Sequence, residues 1–432
     1  MKYYSTNKQA QEATLQEAVV KGLASDKGLF MPEKIKKLPQ SFFDKIDTLS
    51  FQEIAYTVAE AFFGEDIEAD ILKQIVYDTL NFDTPLVHVN DNIYSLELYH
   101  GPTLAFKDVG ARFMARLLAY FIKKQGQNDV KVLVATSGDT GSAVANGFLG
   151  VDGIHVYVLY PKGKVSNIQE CQFTTLGKNI TSLEIDGTFD DCQALVKTAF
   201  MDEELNKKLN LTSANSINVA RFLPQAFYYF YAYAQLKKIN KAGNVVVSVP
   251  SGNFGNLTAG LIGKRMGLPI KRFIAANNSN DIFYEYLQTG KYNPRPSVQT
   301  IANAMDVGDP SNFARILDLY NHSLSEIKKD ISGEWYDDNT IKDVVKETYQ
   351  KTGYLLDPHG ACAYQGLADY LEEDEVGVFL ETAHPAKFLE TVESILDKKV
   401  EVPMALKAFM KGEKKSIALS KEYNSFRSLL LQ

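Results

Sequence analysis

The chain predicts an α/β fold built on open parallel sheets. Three observations carry that prediction. From about residue 94 onward, short apolar, β-branched runs alternate with helix-periodic segments. Two of those runs end in glycine-rich loops that open directly into helices. The 432 residues also exceed what one hydrophobic core organises, so two or three domains are expected.

Residues 1–93 read as an N-terminal, mostly helical segment. Positions 52–63 and 67–80 place apolar residues at helical spacing, and Gly28-Leu29-Phe30-Met31-Pro32 reads as a turn. Residues 94–240 read as a first α/β domain, with an amphipathic helix over 109–123, a strand over 130–135, a helix over 142–148 and a strand over 154–160. Residues 241–432 read as a second, with a strand over 245–249, a helix over 257–266, a strand over 376–380 and a helix over 387–396. Ligands of such sheets sit beyond the carboxyl ends of the strands, which directs attention to the loops.

Composition excludes several functions. A net charge of −7, with basic runs such as 411–415 broken by Gly or Glu, does not make the clustered basic surface that a nucleic-acid phosphate backbone requires. Three widely spaced cysteines imply no disulfide framework, and the six histidines form no H-E-x-x-H, so no metal site is expected. No apolar signal core opens the chain and no run reaches the length of a membrane span, so a cytoplasmic protein is expected, with no obligate protein partner.

The chemistry begins with the glycine loops, Thr136-Ser137-Gly138-Asp139-Thr140-Gly141 and Ser251-Gly252-Asn253-Phe254-Gly255-Asn256. A loop between strand and helix aims backbone N–H groups and the positive end of the helix dipole at one spot, which favours phosphate or carboxylate. Neither loop matches G-x-G-x-x-G, and no G-x-x-x-x-G-K-[ST] is present, which weighs against dinucleotides and nucleoside triphosphates. The bland alternative is that these glycines only make tight turns. Lys107, in Gly101-Pro102-Thr103-Leu104-Ala105-Phe106-Lys107-Asp108, opens a long helix among apolar neighbours. Desolvation there would favour the neutral amine that an imine with an aldehyde cofactor needs. Read alone, a lysine at a helix start is more often solvated.

Together these residues resemble the threonine synthase family, pyridoxal-phosphate (PLP) enzymes of fold type II, related in fold to the tryptophan synthase β subunit. The likeness runs over essentially the whole chain. It includes Tyr3-Tyr4-Ser5-Thr6, Ser25-Asp26-Lys27-Gly28-Leu29-Phe30, GPTLAFKD at 101–108, TSGDTGSA at 136–143 and NSINVARFLPQ at 215–225. It continues through PSGNFGNLTAG at 250–260, NAMDVGDPSNFAR at 303–315 and TAHPAKF at 382–388. SGDTG, where relatives of the wider fold often carry S-G-N-x-G, is the most specific of these.

The resemblance implies a PLP cofactor and roles for named residues. Lys107 would hold the cofactor as an imine and shuttle protons. Ser251, Gly252, Asn253, Phe254, Gly255 and Asn256 would cradle the cofactor phosphate, and Thr382 would set a hydroxyl against the pyridine nitrogen. Thr136, Ser137, Gly138, Asp139 and Thr140 would bind the substrate α-carboxylate, mainly through backbone donors because Asp139 is itself acidic. The family reaction converts O-phospho-L-homoserine and water to L-threonine and phosphate, so a second phosphate site is required. Its candidates are Lys162, Lys164, Ser166, Asn218 and Arg221, of which the arginine fork suits phosphate best.

Each candidate keeps a plain alternative. Lys162 and Lys164 could be solvated, and Arg221 could pair with an acidic neighbour to hold its helix. His384 orders its loop or transfers a proton, the role of His359 stays open, and the aromatic run at 227–233 reads as core packing. Gly360, in Asp357-Pro358-His359-Gly360, stands where the family commonly carries a larger residue, with consequences expected for packing and not for the reaction. Two rival functions stay open as well. A dehydratase or O-acetylserine-type enzyme of the same fold would lack the second phosphate site, and a non-catalytic phosphate-metabolite binder would form no imine.

Overall fold

The computed structural model describes residues 1–126 and 129–432. The N-terminal segment is helical as expected, with helices Leu15–Lys21, Gln40–Lys45, Phe51–Phe63 and Ala69–Thr79. Ser50 and Glu53 form a reciprocal capping box at the start of Phe51–Phe63, satisfying backbone donors that the helix cannot. That helix buries Phe51, Ile54, Val58 and Phe62, and the Phe51 ring stacks 4.4 Å from Tyr231 on the helix Ala226–Lys238. The aromatic run is core packing: Phe227, Tyr228, Tyr229 and Phe230 are all buried.

The segment also holds an antiparallel sheet that the sequence reading did not anticipate. Lys2–Ser5 pairs with Ala13–Thr14 on one side and with Phe30–Pro32 on the other. The expected turn at 28–32 is thus corrected, since Phe30–Pro32 is a buried strand. Three residues are too few to show a period of two, and their partner strand is remote in sequence, with Tyr4 opposite Met31.

Two larger sheets build the body. One has six strands in the order Ile331–Trp335, Ile270–Asn277, Val245–Pro250, Val376–Glu381, Ile93–Glu97 and Leu86–Asn90, parallel except for the last pair. The other has five parallel strands in the order Ile417–Ser420, Ile180–Asp186, Ile154–Pro161, Val130–Ala135 and Asn210–Ser213. Val130–Ala135 and Val376–Glu381 are buried along their whole length, as strands covered on both faces must be.

The sheets correct the contiguous division at 93/94 and 240/241. Ile93–Glu97 ladders with Val376–Glu381 in the second sheet region, and Ile417–Ser420 returns to pair with the strand Ile180–Asp186. Sequence texture reveals a strand but not its partner, because ladder hydrogen bonds are indifferent to distance along the chain.

Arg315 ties remote parts of the molecule together without any carboxylate. Its Nη1 donates to Ser216 O (3.0 Å) and Asn312 Oδ1 (2.6 Å), Nη2 to Ile217 O (2.6 Å) and Phe30 O (3.0 Å), and Nε to Phe30 O (3.3 Å). The guanidinium lies 3.9 Å over the Phe222 ring. Its fork thereby joins the N-terminal strand to the 216–217 loop.

Gly360 has a physical reason. A Cβ there would lie 1.6 Å from Glu381 Oε2 and 2.5 Å from its Cδ, so glycine leaves the space that the buried Glu381 carboxyl fills. Glu381 Oε1 in turn accepts the backbone N–H of Asp357 at 2.5 Å. Gly360→Ala is therefore expected to destabilise the protein by about 1–3 kcal/mol through overpacking. Adding Glu381→Ala should recover most of that loss, because the two substitutions compete for one volume. Urea denaturation of both single variants and the double variant checks the coupling.

Candidate active site

The site starts from a main-chain contact between two distant segments. Ala105 and Ala383 form an isolated antiparallel bridge, with Phe106 N–H donating to Thr382 O (2.8 Å) and His384 N–H to Leu104 O (3.1 Å). Asp108 closes the turn before the helix Lys107–Gln125 by accepting from Thr103 N (2.9 Å) and Thr103 Oγ1 (2.6 Å). Lys107 is thus the first residue of its helix and sits beside Thr382, and both line one cleft.

Burial lowers the Lys107 amine to about 8. Asp139 opposes that shift, while the charges of Arg221 and Lys387 add to it. The positive end of its own helix acts in the same direction. The ammonium still predominates at neutral pH, but the neutral amine that attacks an aldehyde is far more populated than in a solvated lysine.

The 251–256 loop lies where the sequence places it, between the strand Val245–Pro250 and the helix Gly255–Arg265. Gly252, Asn253, Phe254, Gly255 and Asn256 line the cleft. Ser251 is turned inward: its hydroxyl donates to Val249 O (2.8 Å). Phe254 caps the helix in the left-handed region at φ 61°, a strained conformation for a side chain of that size. Asn256 Oδ1 accepts from Tyr229 Oη (2.8 Å), while its Nδ2 is buried with no partner, a donor set for an incoming acceptor. A Cβ on Gly252 would meet Met305 Cα at 2.9 Å and Ala304 O at 3.0 Å. The need for glycine at 252 thus comes in part from the covering segment 303–307. A buried orphan amide, a glycine cradle and a helix N-terminus fit a phosphate.

In the other loop only Ser137 and Thr140 face the cleft. Thr136 is buried and shapes the loop, its Oγ1 accepting from Gly138 N (2.9 Å) and Gly141 N (2.8 Å). Gly138 has φ +144° with Gln169 packed where a Cβ would be, 2.5 Å away. Asp139 opens the helix Asp139–Gly147, whose first-turn amides have no preceding helical carbonyl to bind. Its carboxylate is turned away into a buried ion pair with Lys387 Nζ at 2.7 Å, and it also accepts from Gln169 Nε2 at 2.8 Å. Burial alone would raise the Asp139 carboxyl; the charges of Lys387 and Lys107 overcome it and hold it at about 2.

The five candidates for a second phosphate site separate. Arg221 is 2% exposed, lines the cleft, and has no partner at Nε or Nη1. Burial lowers it to about 10, which leaves it charged at neutral pH. Its alternative role, pairing with an acidic neighbour, finds no ion pair among the described residues. The other four are corrected. Lys162 and Lys164 are exposed and outside the cleft, since the loop after Ile154–Pro161 projects into solvent. Ser166 is the N-cap of the helix Asn167–Thr174, bonded to Gln169 and Lys387 O. Asn218 is buried as the N-cap of Val219–Phe222, its amide bonded to Val19 O, Ser213 O and Ala220 N.

His384 lies outside the cleft lining and accepts from Ala386 N (3.1 Å), and burial lowers it to about 4. His359 does line the cleft. Its Nε2 accepts from Ala304 N (3.1 Å) and its Nδ1 lies 2.5 Å from Asp357 Oδ1, which makes it a tether for the covering segment. Sequence reasoning assigned no role to Lys387, Gln225, Asn215 or the 303–307 segment. All four belong to motifs that it singled out, and only the packing of remote segments brings them to or beside the cleft. Among the described residues no helix is long and apolar enough to cross a membrane, and no group of three or more His, Cys, Asp or Glu could hold a metal ion.

Comparison with known proteins agrees with this geometry. A family model described as pyridoxal-phosphate dependent enzyme matches residues 78–382, one for the threonine synthase N terminus matches 2–80, and one for the threonine synthase C-terminal region matches 360–429. Threonine synthase of Haemophilus influenzae is 45% identical over 432 residues, covering 100% of both chains. The crystal structure of threonine synthase from Escherichia coli superposes with TM-score 0.94 at 43% identity, covering 100% of this chain and 99% of that one. The PLP-bound threonine synthase from Brucella melitensis gives TM-score 0.93 at 34% identity, covering 100% and 98%. With a lysine of lowered pKa, a phosphate cradle and full-length likeness to these proteins, the chain belongs to the threonine synthase family of pyridoxal-phosphate-dependent enzymes.

Proposed function

We propose that this chain converts O-phospho-L-homoserine and water to L-threonine and phosphate, with PLP held at Lys107. One observation carries the choice of substrate. Asn256 and Arg221 line the cleft that Lys107 also lines, and each carries buried donors without protein partners, Asn256 Nδ2 and the Nε and Nη1 of Arg221. A cofactor phosphate takes up the first; a phosphorylated substrate is needed for the second. A dehydratase acting on an unphosphorylated amino acid would bury the Arg221 charge with nothing to compensate it.

When bound, PLP supplies an electron sink that makes carbanion chemistry accessible at the substrate carbons. The residues of the chain supply binding, orientation and proton transfer. Gly252, Asn253, Phe254, Gly255 and Asn256 would hold the cofactor phosphate, with Ser251 shaping the loop from behind, and Thr382 would place an uncharged hydroxyl partner at the ring nitrogen. The 137–140 loop would hold the substrate carboxylate through its first-turn amides and the Ser137 and Thr140 hydroxyls. Lys107, as a neutral amine released to the cleft, would take the proton from substrate carbon and return it. Arg221 would bind the substrate phosphate and stabilise it as it leaves, its fork matching two phosphate oxygens.

Three outcomes are expected. Lys107→Ala should lose the visible absorbance of lysine-bound PLP and reduce phosphate release from phosphohomoserine by at least about 10³-fold. Normal turnover in that variant would contradict the assignment. Capture of PLP by the apo-protein should accelerate as pH rises through about 8, because the reactive amine is the unprotonated form and that form grows above the Lys107 pKa. Stopped-flow absorbance across that range measures it. Arg221→Ala should keep the lysine-bound PLP spectrum but lower kcat/KM for phosphohomoserine, at a cost of about 2–5 kcal/mol for a desolvated charge contact. A phosphate-release assay recorded beside the spectrum separates loss of substrate binding from loss of cofactor.

A further inference from the structure

An anion-binding loop that carries an aspartate presents an electrostatic conflict. Asp139 is the first residue of the helix whose N-terminus would receive the substrate carboxylate, so a free carboxylate there would repel the ligand. The structure resolves the conflict with Lys387, which comes from the far end of the chain. Its side chain is 0% exposed and Asp139 only 4%, with Nζ 2.7 Å from Oδ1. The ammonium also donates to Thr103 O at 2.8 Å, in the turn that leads into Lys107, and that carbonyl takes a second bond from Gln172 Nε2 at 2.9 Å. Gln169 Nε2 donates to the same Asp139 oxygen at 2.8 Å. The lysine therefore touches both the carboxylate loop and the lysine turn, while neither it nor Asp139 lines the cleft.

We propose that Lys387 is a positioning residue that acts by charge: it cancels Asp139, so that the 137–140 loop accepts an anionic substrate and no unpaired carboxylate acts on Lys107. The charged groups that act on Lys107 are Asp139, which favours its ammonium form, and Arg221 and Lys387, which disfavour it. Removing Lys387 takes away one of the two cations and leaves Asp139 uncompensated, so both changes push Lys107 toward the charged form. Removing Asp139 does the reverse. The loop responds through the same charges, since an unscreened buried carboxylate beside it opposes a second carboxylate.

This inference rests on the proposed reaction for its substrate arm, so the test has a second arm that uses PLP alone. The pH midpoint of PLP capture by the apo-protein is measured for the wild type, Lys387→Met, Asp139→Asn and the double variant; KM for phosphohomoserine is measured on the holoenzymes. Lys387→Met is expected to move the midpoint up by roughly one pH unit and to raise KM on the order of 10–100-fold. Asp139→Asn should move the midpoint down. The double variant, with the charge pair replaced by neutral side chains, should return to within about 10-fold of the wild-type KM, since a buried pair exchanged as a whole costs far less than a broken one. A double variant as impaired as Lys387→Met, or midpoints that shift in the same direction in both single variants, would overturn charge compensation. If Lys387→Met does not fold, the downward shift in Asp139→Asn and the behaviour of the double variant decide. A wild-type protein inactive on phosphohomoserine would count against the proposed reaction, while the PLP arm would still judge Lys387.

Discussion

The short main-chain bridge between residues 104–106 and 382–384 is the constraint on which the site depends. Strands Ile93–Glu97 and Val376–Glu381 lie side by side in one parallel sheet, so the chain leaves both at the same edge. Beyond the sheet the first segment turns back, so that Ala105 pairs antiparallel with Ala383 before the chain enters the lysine helix. Lys107 and Thr382 are thereby neighbours by construction, although 275 positions separate them. The two segments that such a ligand would use are held together by backbone hydrogen bonds, which a side-chain rotamer change cannot displace.

Around that bridge the protein concentrates positive charge out of water. Arg221 and Lys387 both act electrostatically on Lys107, and Asp139 is the carboxylate ion-paired with Lys387. Each cation is treated differently. Lys387 is paired, Lys107 has its pKa lowered toward neutrality, and Arg221 cannot shed its proton and stays charged with two unpartnered nitrogens. Arg315 shows what the same side chain looks like when its role is structural: every donor nitrogen is bonded to a carbonyl or amide oxygen. The contrast between the two buried arginines is what marks one of them as awaiting an anion.

Much of the site was legible along the chain because its parts are local. Lys107 opens a helix, and each glycine loop joins one strand to the next helix, so backbone donors can be inferred from residues a few positions apart. The candidates that failed did so for an equally physical reason. Ser166 and Asn218 are polar residues of the types that bind phosphate, but they are also the types that cap helices, and both do so here. Spacing does not separate the two uses. Only the destination of each side-chain oxygen and nitrogen does, and that is set by neighbours such as Val19 and Lys387, remote in sequence.

Sequence by itself determined the alternation of strands and helices, the glycine loops, the helix that opens at Lys107 and the family likeness, because each is written in residues close together. Tertiary structure decided which strands share a sheet, and so put Ile417–Ser420 beside Ile180–Asp186 and the 382–384 segment beside Lys107. It decided that Gly360 makes room for Glu381, that Asp139 faces a buried lysine and not the cleft, and that Arg221 alone of five candidates is buried, charged and unpaired at the site. The physical reason is the same in each case. Burial and charge compensation depend on what packs against a side chain, and in this fold those neighbours come from the other end of the chain.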